Sequence, residues 1–470
     1  MRQILCLMGM TAIFFTFNVS AFGQDLSDRV KALEDIVKSQ AKIIEELKQE
    51  IAKQKNQGTR QQDQETQETK QTNQELQQKV EELNTKVEQV VEAQKKEVPS
   101  VFNPSIGLVG ETIVSYRSRG SNETGSDRHG GWDVFQRSTE LNLAATVDPF
   151  AKAYAVINAT ADAQTGEMTL GVEEAALQTT SLPWNLTLKA GRFFGEFGRL
   201  SYIHDHELPF VNRPQVLAQY VGGESRTDGL QLNWLLPIPH YVSLTVGAGI
   251  QFGGDNPPND PGNFRNGSGL NYWGRLSSSF DLTKDITLEP GISVLWNPST
   301  DAQWSSPGGV NPLFPMDVNN NTFTERERRL FGADLVLSYK PLASNQFQSL
   351  IWGTEVLYSD NRYDVTDPSG NTLPSRTVGS LGMYSYLTYK FHRQWSAGFL
   401  FGWVENLVDN NDRTYEYSPY ITWALSHWNQ LRLQYTHTEH NASSPLRSDD
   451  AFYVQWAWII GSHAHGWQER

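Results

Sequence analysis

The densest run of side chains able to do chemistry lies between Thr187 and Pro214, in TLKAGRFFGEFGRLSYIHDHELPFVNRP. It holds Glu196, Arg199, His204, Asp205, His206, Glu207 and Arg213. His204 and His206 are separated by one residue, with acids directly after each. Imidazole and carboxylate together suit zinc and related divalent ions, so His204 and His206 are candidate metal ligands. The alternative is a pair of histidines that hydrogen-bond within a narrow polar passage. A second pair, His463 and His465, lies near the end of the chain, away from the first on the topology derived below. Enzyme chemistry finds no comparable signature: there is no G-x-S-x-G elbow, P-loop or zinc-protease helix motif. No catalytic residue is assigned, and no cofactor is expected beyond a divalent metal at the histidines.

These residues need positioning. The stretch opens as a strand, with Leu186, Leu188 and Ala190 alternating with Thr187, Lys189 and Gly191. It then runs into a long connection, 194–226. Connections of this length in a compact fold are functional or disordered. The interleaved Phe193, Phe194, Phe197, Tyr202 and Phe210 favour an ordered one.

Composition sets the frame. The 470 residues are 20% charged, yet 11% aromatic with 14 Trp and 17 Tyr. Beyond the N-terminus no apolar run approaches the ~20 residues of a spanning helix. Polar overall but rich in Trp and Tyr is the pattern of a transmembrane β-barrel, whose lipid-facing residues are every second one. The net charge of -14 and the lack of a basic cluster exclude nucleic acid as a partner. The one cysteine, Cys6, sits in the N-terminal apolar run, so thiol and disulfide chemistry are excluded from the rest.

Three segments follow in order. Arg2, the apolar Ile4–Phe17 and a small-residue cleavage site read as a signal peptide over residues 1–23. Residues 24–98 read as a periplasmic coiled-coil arm. Leu26, Val30, Leu33, Val37, Gln40, Ile44, Leu47 and Ile51 form one seam, and Leu76, Val80, Leu83, Val87 and Val90 a second. A continuous helix of this length would reach about 110 Å, enough for an oligomerisation handle or a tether to the cell wall. From Pro104 the period becomes two. Leu141, Leu143, Ala145 and Val147 alternate with polar or small residues, and so do Phe331, Ala333, Leu335, Leu337 and Tyr339.

Residues 101–470 therefore read as an all-β transmembrane barrel of about sixteen antiparallel strands, each near the ~9–11 residues that cross a bilayer at a tilt. The expected strands fall near 104–117, 133–147, 152–163, 169–179, 185–193, 227–236, 240–251, 271–281, 285–297, 328–340, 348–360, 377–390, 394–404, 413–424, 429–439 and 449–461. The face of 169–179 is ambiguous, because Glu173 and Glu174 point opposite ways. Tight turns and long loops alternate, with every tight turn on the side of the arm. That places both termini in the periplasm and 194–226 as the third outer loop. In a barrel this wide the lumen stays open unless something fills it. Glu196, Arg199, His204, Asp205, His206, Glu207 and Arg213 would form the charged lip of a constriction. Glu111, Arg117, Glu140, Glu289, Asp334, Glu355, Glu416 and Arg432 fall on the lumen parity, a mixed set that favours a mild cation preference over phosphate selectivity.

The arrangement resembles the sixteen-stranded trimeric porins, whose third loop folds inward. AGRFFGEFGRLSYIHDHELPFVNRP, GVEEAALQTTSLPWNLTLKAG and IIGSHAHGW are similar to a family of outer-membrane porin-like proteins, some labelled zinc-regulated outer-membrane proteins. Arm plus barrel more loosely resembles the phosphate-selective porins. The resemblance implies passive diffusion of small hydrophilic solutes or ions across the bacterial outer membrane by a homotrimer in outer-membrane lipid. The coiled-coil seam by itself favours two strands. The alternatives are a divalent-metal (zinc) linked uptake protein and a tether touching peptidoglycan or the periplasm through the coiled coil. TonB dependence is not supported, since no plug domain precedes the barrel.

Overall fold

Period-two alternation leaves each strand with one face for lipid and one for the lumen, and a ring of such strands has no edge to expose. The computed structural model describes residues 104–118, 130–161, 166–253, 269–300, 303–304, 321–344, 347–441 and 448–461. The expected signal peptide, the coiled-coil arm, His463 and His465 lie outside the described residues.

The first half of the wall comprises β1 (Ser105–Arg117), β2 (Gly131–Asp148), β3 (Ala151–Ala161), β4 (Met168–Thr179) and β5 (Leu186–Phe194). It continues with β6 (Arg226–Leu235), β7 (Tyr241–Gly249), β8 (Asn271–Asp281) and β9 (Ile286–Asn297). After the two-residue β10 (Gln303–Trp304) come β11 (Thr322–Tyr339), β12 (Ser349–Thr366), β13 (Thr372–His392) and β14 (Trp395–Glu405). The last three are β15 (Arg413–Ser426), β16 (Asn429–His440) and β17 (Ser448–Gly461). Each pairs antiparallel with its neighbour, β9 pairs directly with β11, and β1 closes on β17 from Gly107↔Gly461 to Arg117↔Ala451. Setting β10 aside, sixteen strands close the barrel, as expected, with bounds mostly within a few residues of those read from the sequence.

Two expectations about loops are corrected. The connection 361–376 is largely strand: β12 and β13 stay paired as far as Thr366↔Thr372, and only a short turn around Asp367 remains. β11 likewise begins at Thr322, inside the expected loop 298–327. Cross-strand pairing, with Tyr363 and Val365 buried against Phe323, overrides the polar composition of these stretches.

The outer face is apolar and aromatic. Phe331 and Tyr339, both well exposed, stand eight residues apart on β11, about 20 Å along the normal for a strand tilted by ~40°. Tyr358, Tyr272 and Trp296 lie near the first level, and Tyr389, Phe391 and Trp395 near the second. Two aromatic girdles flanking an apolar band match the two interfaces of a bilayer.

The inner face is not simply polar. Residues 195–225, between β5 and β6, turn into the barrel, where Phe197, Leu200, Ile203, Leu208, Phe210 and Leu217 are almost fully buried. They pack on lumen-facing Tyr384, Tyr386, Tyr420, Leu357 and Leu400. Phe210 meets Tyr386 and Tyr420 edge-on at 5.7 and 6.1 Å. Burying each such side chain contributes about 1.5–3 kcal/mol relative to exposure. A short helix, α1 (Gln215–Tyr220), carries Val216, Leu217 and Tyr220 to β12–β14.

Candidate functional site

The loop is bonded around most of the wall. Gly198 donates its N–H to Ser293 on β9 (2.9 Å), and Arg199 donates its N–H to Glu355 on β12 (3.1 Å). Val211 N–H donates to Gln434 on β16 (2.7 Å), while Arg137 on β2 donates to the Val211 carbonyl (2.7 Å). Gln215 N–H reaches Glu416 on β15 (3.2 Å), Tyr220 donates to the Glu405 carbonyl on β14 (2.8 Å), and Arg328 on β11 donates to the Tyr220 carbonyl. Gly198 makes the turn with φ +61°, and a Cβ there would run into the Glu355 carboxylate. Gly198→Val should therefore loosen the loop: the left-handed conformation alone costs a non-glycine residue about 1–2 kcal/mol, and the clash adds to it. Limited proteolysis checks this, with faster cleavage inside 195–225 and an unchanged folded-barrel mobility in electrophoresis.

The seven expected constriction residues separate into two groups. Glu196 lies on the β6–β7 wall, accepting from Gln231 (3.2 Å) and Thr245 (2.7 Å), and Arg199 pairs with Glu289 on β9 (2.6 Å). The other five lie further along the loop. Arg213 clamps the loop on itself, donating to the carbonyls of Leu200 and Ile203 (both 2.6 Å), to Asp205 (3.0 Å) and to Glu224 (3.3 Å). His204 and His206 stack at 5.4 Å and face the β2–β4 wall. His204 Nε2 lies 3.0 Å from Glu174, and its Nδ1 lies 3.7 Å from Glu140 and 3.8 Å from Glu173. His206 Nδ1 lies 3.1 Å from Glu140. His206, His204 and Glu207 are only 0, 5 and 6% exposed. The charged lip at the mouth of a pore is thus corrected to a polar knot within the lumen. The flanking aromatics that signalled an ordered loop bury these histidines: the Phe194 ring lies 4.7 Å from that of His204.

Electrostatics hold the knot. Burial works against a charge on His204, but Glu140, the bond to Glu174 and Glu173 outweigh it and hold its pKa well above the usual histidine value. His206 is raised for a like reason, with Glu140 outweighing burial. Glu224 is raised by burial first and then by Asp205.

The eight residues expected to line the pore all face inward, several of them covered by the loop. Glu111 is held by Arg137 (Nε 2.6 Å) and Gln455, Arg117 by Tyr453 (3.1 Å) and Asp449 (3.4 Å), and Asp334 by Arg275 (2.6 and 2.9 Å). Glu355 accepts from Tyr384 (2.7 Å), and Arg432 donates to Thr422 (3.0 Å) and Gln455 (2.7 Å). The sequence reading missed Arg137, Glu173, Glu174 and Arg275. Arg275 alternates with Tyr272, Leu276 and Phe280, the exposed face of β8, so parity alone could have placed it.

On the tight-turn side of the loop lie two cavities. One, of about 950 Å³, is lined by Glu207, Lys390, His392, Arg393 and Arg432 among others and reaches the turns near 392–394 and 425–427. The other, of about 320 Å³, is bounded by Glu196, Tyr202, Lys189 and Arg275.

A closed sixteen-stranded antiparallel barrel, apolar outside and holding an inward-folded third loop, is a porin-like fold. Among solved structures, OprB of Pseudomonas putida matches 76% of this chain and 94% of its own at 12% identity, TM-score 0.50. The anion-selective porin of Comamonas acidovorans matches 76% and 99% at 8% identity, TM-score 0.48. A protein of Aquifex aeolicus (strain VF5), described only as uncharacterized, is 27% identical over 377 residues, 75% of this chain and 74% of the relative. No family model matches.

Proposed function

We propose that the protein is an outer-membrane channel for passive diffusion of small hydrophilic solutes or ions, constricted by the loop 194–226. The observation that carries this reading is the long third loop folded across the lumen of a closed barrel, with cavities beside it. Single-channel recording in planar bilayers tests it: purified, folded protein should give discrete ion-conducting steps. Their absence would sink the channel and leave the tether.

Selectivity follows from which charges still face the cavities. Many of the lumen acids counted from the sequence are covered by the loop or spent in pairs, such as Glu111 with Arg137 and Asp334 with Arg275. Lys390, Arg393 and Arg432 outnumber Glu207 around the larger cavity. This favours anions over the cation preference expected from sequence, because rings of Lys and Arg select anions. In a salt gradient the reversal potential should take the sign of anion preference; the opposite sign would restore the earlier expectation. The reading includes a homotrimer packed through the smooth outer face of β2–β5, where Ala145 meets Ala153 and Ala155 meets Ala175. Cross-linking that yields only monomers would remove it.

A further inference from the structure

The knot between the loop and the β2–β4 wall has a donor geometry that ion pairing leaves incomplete. His204 Nε2 lies at hydrogen-bond distance from Glu174, itself held by Tyr154 (3.0 Å). With Nε2–H donated to that carboxylate, it is Nδ1 that gives up its proton when a metal binds, the carboxylate–histidine arrangement that supports a metal ligand. Nδ1 has no hydrogen-bond partner although the side chain is almost fully buried. It points between Oε2 of Glu140 and Oε2 of Glu173, at 3.7 and 3.8 Å. These separations are too long for hydrogen bonds. They suit ligands shared by one ion, since two bonds of ~2.0–2.2 Å at tetrahedral or wider angles separate donors by about 3.4–4 Å. Two overlapping sets, Glu140–His204–His206 and Glu173–His204–Glu224, each bring their ligand atoms within 4.8 Å.

We propose that His204, Glu173 and Glu224, a set whose ligand atoms converge, bind a divalent transition-metal cation that ties two stretches of the lumen loop to β4, with Glu140 beside it. Mixed imidazole and carboxylate donors favour zinc-like ions over magnesium or calcium, which prefer oxygen alone. The cation takes the place of a proton on Nδ1 and adds positive charge where Glu173 and Glu224 converge. The site goes beyond the channel reading, because it tethers the loop whether or not current flows.

The test uses the full chain, folded in detergent and stripped with EDTA. Calorimetric titration with Zn2+ should show saturable binding, and Co2+ should develop the visible d–d bands of a low-coordinate nitrogen and oxygen site. His204→Gln and Glu173→Gln should each weaken binding by at least ~10-fold, since even outer partners of a metal ligand are worth that much. His240→Gln, at a turn, should leave it unchanged. No saturable binding, or binding that survives both substitutions at the knot, overturns the proposal. If either variant loses the folded mobility, the wild type decides: Zn2+ should protect 195–225 from protease relative to EDTA, and equal cleavage overturns the site. None of these readouts is a current, so failure here leaves the channel standing, and a silent bilayer leaves the site standing.

Discussion

Replacing residues 198–222 with a short Gly-Ser linker should raise single-channel conductance severalfold and admit larger solutes, with the barrel intact. The wall does not need the loop to stay closed. Its ladders run strand to strand, and Phe194↔Arg226 already brings the ends of β5 and β6 together, so a short turn suffices. What goes is the apolar filling. Leu200, Ile203, Phe210 and Leu217 leave the lumen, and Tyr384, Tyr386 and Tyr420 become wetted walls of a wide pore. A sixteen-stranded barrel without filling holds an aqueous channel. Bilayer recording with neutral solutes of graded size reads the effect, and an unchanged conductance would mean that the loop lies outside the conducting path.

Arg137→Met should destabilise the folded barrel by about 3–5 kcal/mol, the usual cost of leaving one partner of a buried ion pair alone. Glu111 is wholly buried and takes both arms of the Arg137 fork, with Gln455 as its other partner. The same substitution frees the Val211 carbonyl. Urea titration followed by electrophoretic mobility measures the loss. The double variant with Glu111→Gln should recover much of it, because the penalty lies in the orphaned carboxylate. A cost below about 1 kcal/mol would show that water reaches the pair and that it behaves like a surface ion pair.

The wall was legible because alternation is a strong signal over ten or more residues, and strand parity placed Glu111, Glu140, Asp334 and Glu355 on the lumen face. Parity failed where the ladder slips. Arg137 is the unpaired residue where Glu111↔Ser138 gives way to Thr112↔Gln136, and Glu173 is skipped between Val156↔Glu174 and Ile157↔Val172. A bulge turns an extra side chain to the same face as its neighbour, which is why Glu173 and Glu174 both enter the lumen although adjacent. Read by strict alternation, one of them belonged outside. The HDHE motif was legible as chemistry but not as place. Nothing in 194–226 states which wall it meets, and that follows from how Phe197, Phe210 and Leu217 fill the interior. Glu196 and Arg199, so close in sequence to the histidines, were carried to other strands of the wall, β6–β7 and β9.

One residue of the loop touches both sides of the line where the cylinder is sewn shut. Val211 receives Arg137 from β2 and reaches Gln434 on β16, the strands flanking the β1–β17 pair. Both grips are held at once across the seam where the first and last strands meet. The loop thus acts as a keystone set from within: its final seating reports that the ring has closed, and once seated it resists the ring's reopening. A barrel built this way would come apart at its seam last, after its interior had been withdrawn.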